Sequence, residues 1–141
     1  MRRGNSRGGF AMVELVVAMS IIFIISAVAV GVIKTQSDFY RLTAQTVEAT
    51  NMAENAIECF RYTDNADEFD SMFGKTGVTT DRISYDNDTR TVFTFERSEM
   101  NVEIEIKPNL TDGGEIVSYT LTFVARDINS NGVILEQSYT K

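Results

Sequence analysis

The chain has 141 residues, a net charge of −7, 43% hydrophobic residues and a mean hydropathy of −0.10, the averages of one small acidic domain. Histidine is absent and cysteine occurs once, which excludes a Ser-His-Asp triad, a Cys-His pair, an internal disulfide and a zinc centre built on imidazole or paired thiolates. The acidic balance disfavours holding a phosphate backbone over a broad surface, so direct nucleic-acid binding is not expected.

In chain order the averages separate into three regions. Residues 1–9 carry Arg2, Arg3 and Arg7 and no acid. From Phe10 to Ile33 only Glu14, Ser20, Ser26 and Gly31 interrupt a 24-residue apolar run. A bilayer core needs about 20 such residues, and as a helix the run measures about 36 Å. A soluble core helix of this length normally keeps a polar face. The basic cluster on the N-terminal side predicts a single-pass N-in/C-out precursor in the cytoplasmic membrane, with residues 34–141, net charge −9, outside.

Several readings of this N-terminus compete. A secretory signal peptide would use residues 1–9 as its basic region, Leu15 to Ile25 as its hydrophobic stretch and Ala27-Val28-Ala29 as a cleavage element. A retained membrane helix would be processed elsewhere, and a plain anchor not at all. Glu14 separates them. A carboxylate inside a membrane helix costs a few kcal/mol on insertion scales and normally has a partner. A signal peptide has no use for one, so the acid implies a task in the membrane or in an assembly.

The segment Gly9-Phe10-Ala11-Met12-Val13-Glu14-Leu15, between a short basic leader and a long apolar run, resembles the N-terminus of the type IV pilin and type II secretion pseudopilin superfamily. The resemblance implies cleavage by a prepilin peptidase between Gly9 and Phe10, N-methylation of Phe10, and a role in assembly for Glu14 as the fifth residue of the mature chain. Arg2, Arg3 and Arg7 would set the leader's topology. Ala11-Met12 replaces the family's usual Thr-Leu, and Gly31 stands near where a helix proline commonly falls. The implied protein is not an enzyme. It is a structural subunit, a minor pilin or pseudopilin, of a type IV pilus-like, secretion or DNA-uptake filament at the cell envelope or surface. Its partners would be other pilin or pseudopilin subunits, the prepilin peptidase, the inner-membrane assembly platform and the membrane. The alternative is an extracellular binding module, membrane-anchored or secreted, with a conventional signal or anchor.

Beyond the apolar run, the pattern from Ser37 to Phe60 stays helical and becomes amphipathic. Phe39, Leu42, Thr46, Ala49, Ala53, Ala56, Ile57 and Phe60 share a stripe, while Arg41, Gln45, Glu48, Glu54 and Glu58 point elsewhere. No proline precedes Pro108, so one helix can run from about Phe10 to about Tyr62, about 80 Å. Residues 10–33 would be its transmembrane or filament-core part and residues 34–62 its amphipathic part. Residues 63–77 are acidic and rich in turn formers. They read as a loop pinned by Phe69, Met72 and Phe73.

After Val78 the period becomes two. Val102, Ile104 and Ile106 alternate with charged residues, and Val117, Tyr119, Leu121, Phe123 and Ala125 with mostly polar ones. Further strands are expected at 92–97, 133–139 and, shorter, 82–85. Turns are expected at 86–89, 98–99, 109–114 and 127–132. Short connections predict an antiparallel meander with one face buried on the helix. The expected class is therefore α+β and pilin-like, a long helix on a four- or five-stranded sheet, with residues 63–141 forming the loop and sheet head.

No cofactor is expected. Asp127, Asn129 and Asn131, followed by Gly132, match the opening of a calcium loop. Position twelve is Ser138 instead of glutamate, Glu136 comes two residues early, and Asn and Gly between strands form hairpins. A turn is the expected role and calcium binding the alternative. Cys59 reads as a buried unpaired thiol, and Asn87 and Asn109 open glycosylation sequons.

Overall fold

The computed structural model describes residues 7–85 and 90–141. The leader residues Arg2 and Arg3, the expected turn at 86–89 and the sequon at Asn87 lie outside them. The first element is a single α-helix, α1 (Arg7–Tyr62). Its hydroxyl residues fit because they bond back to the preceding turn. Ser20 Oγ donates to Val16 O at 2.7 Å, Thr35 Oγ1 to Gly31 O at 3.0 Å, and Thr46 and Thr50 to Leu42 O and Thr46 O at 2.8 Å each.

The chain divides into two compact units, Met1–Arg41 and Leu42–Lys141. In the first, every side chain described from Met12 to Tyr40 is exposed. This stretch is long and apolar enough to cross a membrane.

The second unit is an α+β head. Its sheet holds β1 (Asp81–Tyr85), β2 (Arg90–Arg97), β3 (Met100–Leu110), β4 (Ile116–Asp127) and β5 (Val133–Thr140), antiparallel throughout and in sequence order. The alternation read from the sequence holds except at the start of β4, where Val117 is 68% exposed. Val102, Ile104, Ile106, Leu121, Phe123 and Ala125 are buried on one face. Against them α1 presents Ala49, Met52, Ala53, Ala56 and Phe60. The three alanines have no measurable exposure. Their small side chains let the helix backbone approach the sheet, and the aromatic and branched residues of the strands supply the bulk.

Two apolar members of the expected helical stripe are not part of this core. Phe39 is 70% exposed and Leu42 51% exposed, whereas Gln45, expected outside, is 4% exposed. The face that meets the sheet begins at Gln45, where the β2–β3 turn reaches the helix through a hydrogen bond from Gln45 Nε2 to Ser98 O, 3.3 Å.

The acidic connection also differs from expectation, because it contains a second helix, α2 (Ala66–Gly74). Asn65 caps it, its Oδ1 accepting from Glu68 N at 2.8 Å, and Glu68 Oε2 accepts from Asp64 N at 3.0 Å. This is a variant of the reciprocal capping pattern. Phe69 and Phe73, four apart on one face, are buried, while Met72 lies on the flank and is exposed. The Phe69 ring stacks on Phe73 at 5.5 Å and meets Phe93 of β2 at 5.2 Å, and Phe73 meets Phe95 at 6.0 Å.

The β2–β3 connection is the two-residue turn Ser98-Glu99, with φ 50° and 62°. That is the left-handed conformation of the type I′ hairpin, which favours Asn-Gly. Two non-glycine residues there cost about 1 kcal/mol or more each. Beside the turn, Arg97 Nε donates to Glu48 Oε1 at 2.8 Å. The Ser98 hydroxyl and then Arg97 hold the Glu48 carboxyl below its ordinary value of 4.5, against the opposing effect of partial burial. Glu48 therefore adds stability above pH 4.5 that is lost as pH falls through its lower folded value. Chemical denaturation is expected to separate the parent chain from Glu48→Gln at neutral pH, and the gap is expected to close in acid. A gap that persists unchanged in acid would contradict this origin.

The expected turn at 109–114 begins later, at Thr111, because Asn109 and Leu110 belong to β3 across a register shift. The Asn109 amide donates to Ser118 Oγ at 2.8 Å and Thr120 Oγ1 at 2.9 Å, so its sequon side chain is engaged within the sheet.

Lys141 closes the head. Its backbone pairs with Tyr119, with N–O distances of 2.9 and 3.0 Å. Its Nζ donates to Phe60 O at 2.7 Å and to Thr63 O, and lies 4.6 Å from the Phe60 ring centre. A cation on the last carbonyls of a helix satisfies groups left without intrahelical partners and complements the helix dipole. Lys141→Met is expected to cost about 1 kcal/mol and to lower the melting temperature by about 4–8 °C. An unchanged melting temperature would remove this role.

Candidate assembly and processing segment

The residues singled out at the N-terminus fall on one continuous helical backbone. Arg7 begins α1, and Gly9, Phe10 and Glu14 follow within its first turns. A helix brings residues four apart to the same face, about 6 Å between Cβ atoms. It therefore places position 10 beside position 14 without any tertiary contact. Glu14 is exposed and is surrounded along the helix by Met12, Val13, Leu15, Val16 and Val17, which are 51–74% exposed. Among the described residues it makes no ion pair. The segment is thus an exposed apolar cylinder carrying one carboxylate near its start. The Ser20 hydroxyl is folded back on Val16 O, which leaves Glu14 as the charged group of the run from Phe10 to Ile33.

The candidate residues in the head are arranged differently. Asp127 is 4% exposed, and its carboxylate is turned back on its own loop. Oδ2 accepts from Ser130 Oγ at 2.8 Å and Oδ1 from Asn129 N at 3.4 Å. The backbone closes the connection, with Asp127 N bonded to Gly132 O at 2.9 Å and Asn131 N to Asp127 O at 2.7 Å. Asn131 has φ 54°, the left-handed value that asparagine tolerates in turns. Ser138, at the position where a calcium loop would close, lies within β5 opposite Thr122. Asp127, Asn129 and Asn131 thus build a hairpin turn. The melting temperature is expected to be the same in calcium and in chelator, and a calcium-dependent rise of several degrees would show that the loop rearranges to bind the ion.

Cys59 is a free, half-buried thiol at the margin of the core. Burial, and after it the charge of Glu58, pushes its pKa up, the opposite of what a reactive cysteine needs.

The sequence pointed to Gly9, Phe10 and Glu14 by motif. It did not signal Gln45, Glu48 or Lys141 as structural polar groups, because each is joined to its partners only by long-range folding. Comparison of the chain with family models, with characterised proteins and with solved structures finds no match.

Proposed function

We propose that the chain is a structural subunit, of minor-pilin or pseudopilin type, in a type IV pilus-like or secretion or DNA-uptake filament. One observation carries the reading. A Gly9-Phe10 junction is followed at the fifth position by a lone carboxylate on a bilayer-length exposed helix, and that helix continues into an α+β head. Cleavage between Gly9 and Phe10 would create an ammonium at residue 10. In a bundle of such helices the Glu14 carboxylate of one subunit meets the Phe10 ammonium of a neighbour. Each charge alone is costly in an apolar surrounding, and their pairing offsets part of that cost. Because a wrong axial register leaves both unpaired, the pair selects register as well as attracting.

The head sets the outer surface. It carries no disulfide, and Ala11-Met12 departs from the usual start, which favours a minor subunit or pseudopilin over a major pilin. The presence of Glu14 speaks against a tip subunit of the type that lacks it.

The test is the N-terminus of the protein recovered from the cell envelope. Mass spectrometry is expected to find a chain beginning at N-methylated Phe10. A chain beginning at Val30 would instead indicate signal-peptide cleavage and a released binding module. An intact Met1 would indicate a simple anchor, and either result would overturn the filament reading.

A further inference from the structure

The end of the head at which the β2–β3 and β4–β5 connections lie side by side is held in a conformation that its own residues do not favour. Ser98 and Glu99 both occupy left-handed backbone at a turn that Asn-Gly would fill without strain. Next to them Gln45, 4% exposed, donates its amide nitrogen to Ser98 O at 3.3 Å, while its Oε1 is buried without a hydrogen-bond partner. A buried acceptor left unsatisfied is unfavourable in the same direction as the strain.

Opposing both is a set of polar contacts, among them the Ser98 hydroxyl on the Glu48 carboxylate. Arg97 Nε reaches Glu48 Oε1 at 2.8 Å, and Ile128 N donates to Glu99 O at 3.0 Å, linking the second turn to the first. Arg97, Ser98 and Glu99 are exposed, so little apolar burial adds to these polar contacts. Immediately beyond them Met100 is fully buried and paired opposite Asp127, and there the well-packed sheet begins. The strain is thus confined to an exposed turn held by polar contacts to a helix and bounded by a buried anchor.

We infer that the Ser98-Glu99 turn is a strained latch on α1: it holds the end of the β2–β3 hairpin against Gln45 and Glu48, and it is the first part of the sheet to open, exposing the Gln45 amide. Opening relaxes two left-handed residues and brings Gln45 Oε1 to water. Closing restores the Glu48–Arg97 pair and the link to Ile128. The latch lies wholly within residues 42–141 and does not depend on what the apolar part of α1 does.

Amide hydrogen exchange on the full chain in detergent micelles tests the latch. Glu48→Gln is expected to speed exchange at Met100 and Ile128 about tenfold while leaving Ile104 and Phe123, at the centre of the sheet, unchanged. Glu99→Gly relieves the strain at one left-handed residue, keeps the Ser98 hydroxyl on Glu48, and is expected to slow exchange at Met100 and Ile128 severalfold. If Glu48→Gln shifts all four amides equally, or none, the turn is not a separate opening unit. If Glu99→Gly leaves Met100 and Ile128 unchanged or faster, strain does not drive the opening. Either result overturns the inference.

Discussion

A chain carrying Glu14→Gln is expected to be inserted, cleaved and folded normally but to enter filaments about a hundredfold less than its parent. The substitution removes the one carboxylate of the apolar run and leaves the ammonium created at residue 10 without a partner inside the helix bundle. An unpaired charge at the centre of a membrane helix costs about 2.5–3.5 kcal/mol on insertion scales. Each 1.4 kcal/mol is a factor of about ten, so the loss corresponds to about two orders of magnitude in incorporation. Head stability is expected to be unchanged, because Glu14 belongs to the unit Met1–Arg41 and is exposed there. Filament content measured beside total membrane-inserted protein separates assembly from export. Wild-type incorporation of the Glu14→Gln chain would end the pairing account, and equal loss at the insertion step would move the role of Glu14 to export.

The largest effect on stability is expected from Phe69→Ala. Phe69 has no measurable exposure and meets two other rings, Phe73 at 5.5 Å and Phe93 at 5.2 Å. Truncating a buried Phe costs about 3–5 kcal/mol through lost transfer energy and the cavity left behind. That is a large part of the about 5–15 kcal/mol that holds a typical domain. With about 4–8 °C per kcal/mol for a domain of this size, the melting temperature is expected to fall by at least about 12 °C. Phe69→Leu keeps much of the volume and is expected to recover most of the loss. A fall of only a few degrees in Phe69→Ala would mean that α2 is not part of the cooperative core.

That α2 exists was only partly legible in the sequence. Its cap was there to read, Asn65 followed three residues later by Glu68, and Phe69, Met72 and Phe73 followed at helical spacing, but they cover little more than one turn. Nine residues rich in acids carry too little periodicity to distinguish a short helix from a loop. The strands were legible because burial on a single face imposes strict alternation, as in Val102, Ile104 and Ile106. The helix was legible for its full length from the apolar run and the absence of proline. Its core face was read nearly two turns too early, at Phe39 instead of Gln45, because periodicity reports which residues share a side and not where the sheet begins to cover that side. Gln45 shows the limit most clearly. Its burial follows from a turn 53 residues away, which no local pattern encodes. The candidate segment itself, Gly9, Phe10 and Glu14, was read entirely from residue order, and the fold adds its helical form and the exposure of Glu14.

The odd number of strands has a directional consequence. In a five-stranded antiparallel meander in sequence order, β1 and β5 form the two rims and run the same way. Copies lying side by side in a common orientation therefore bring β5 of one against β1 of the next as parallel neighbours. Parallel pairing is somewhat weaker per residue than antiparallel pairing, and β1 offers only five residues, among them Asp81 and Arg82. Antiparallel fusion of β5 to β5 would require one copy to be turned upside down relative to the other. A sheet of this layout thus offers like-oriented copies only a short, parallel rim-to-rim match, the weaker of the two pairings.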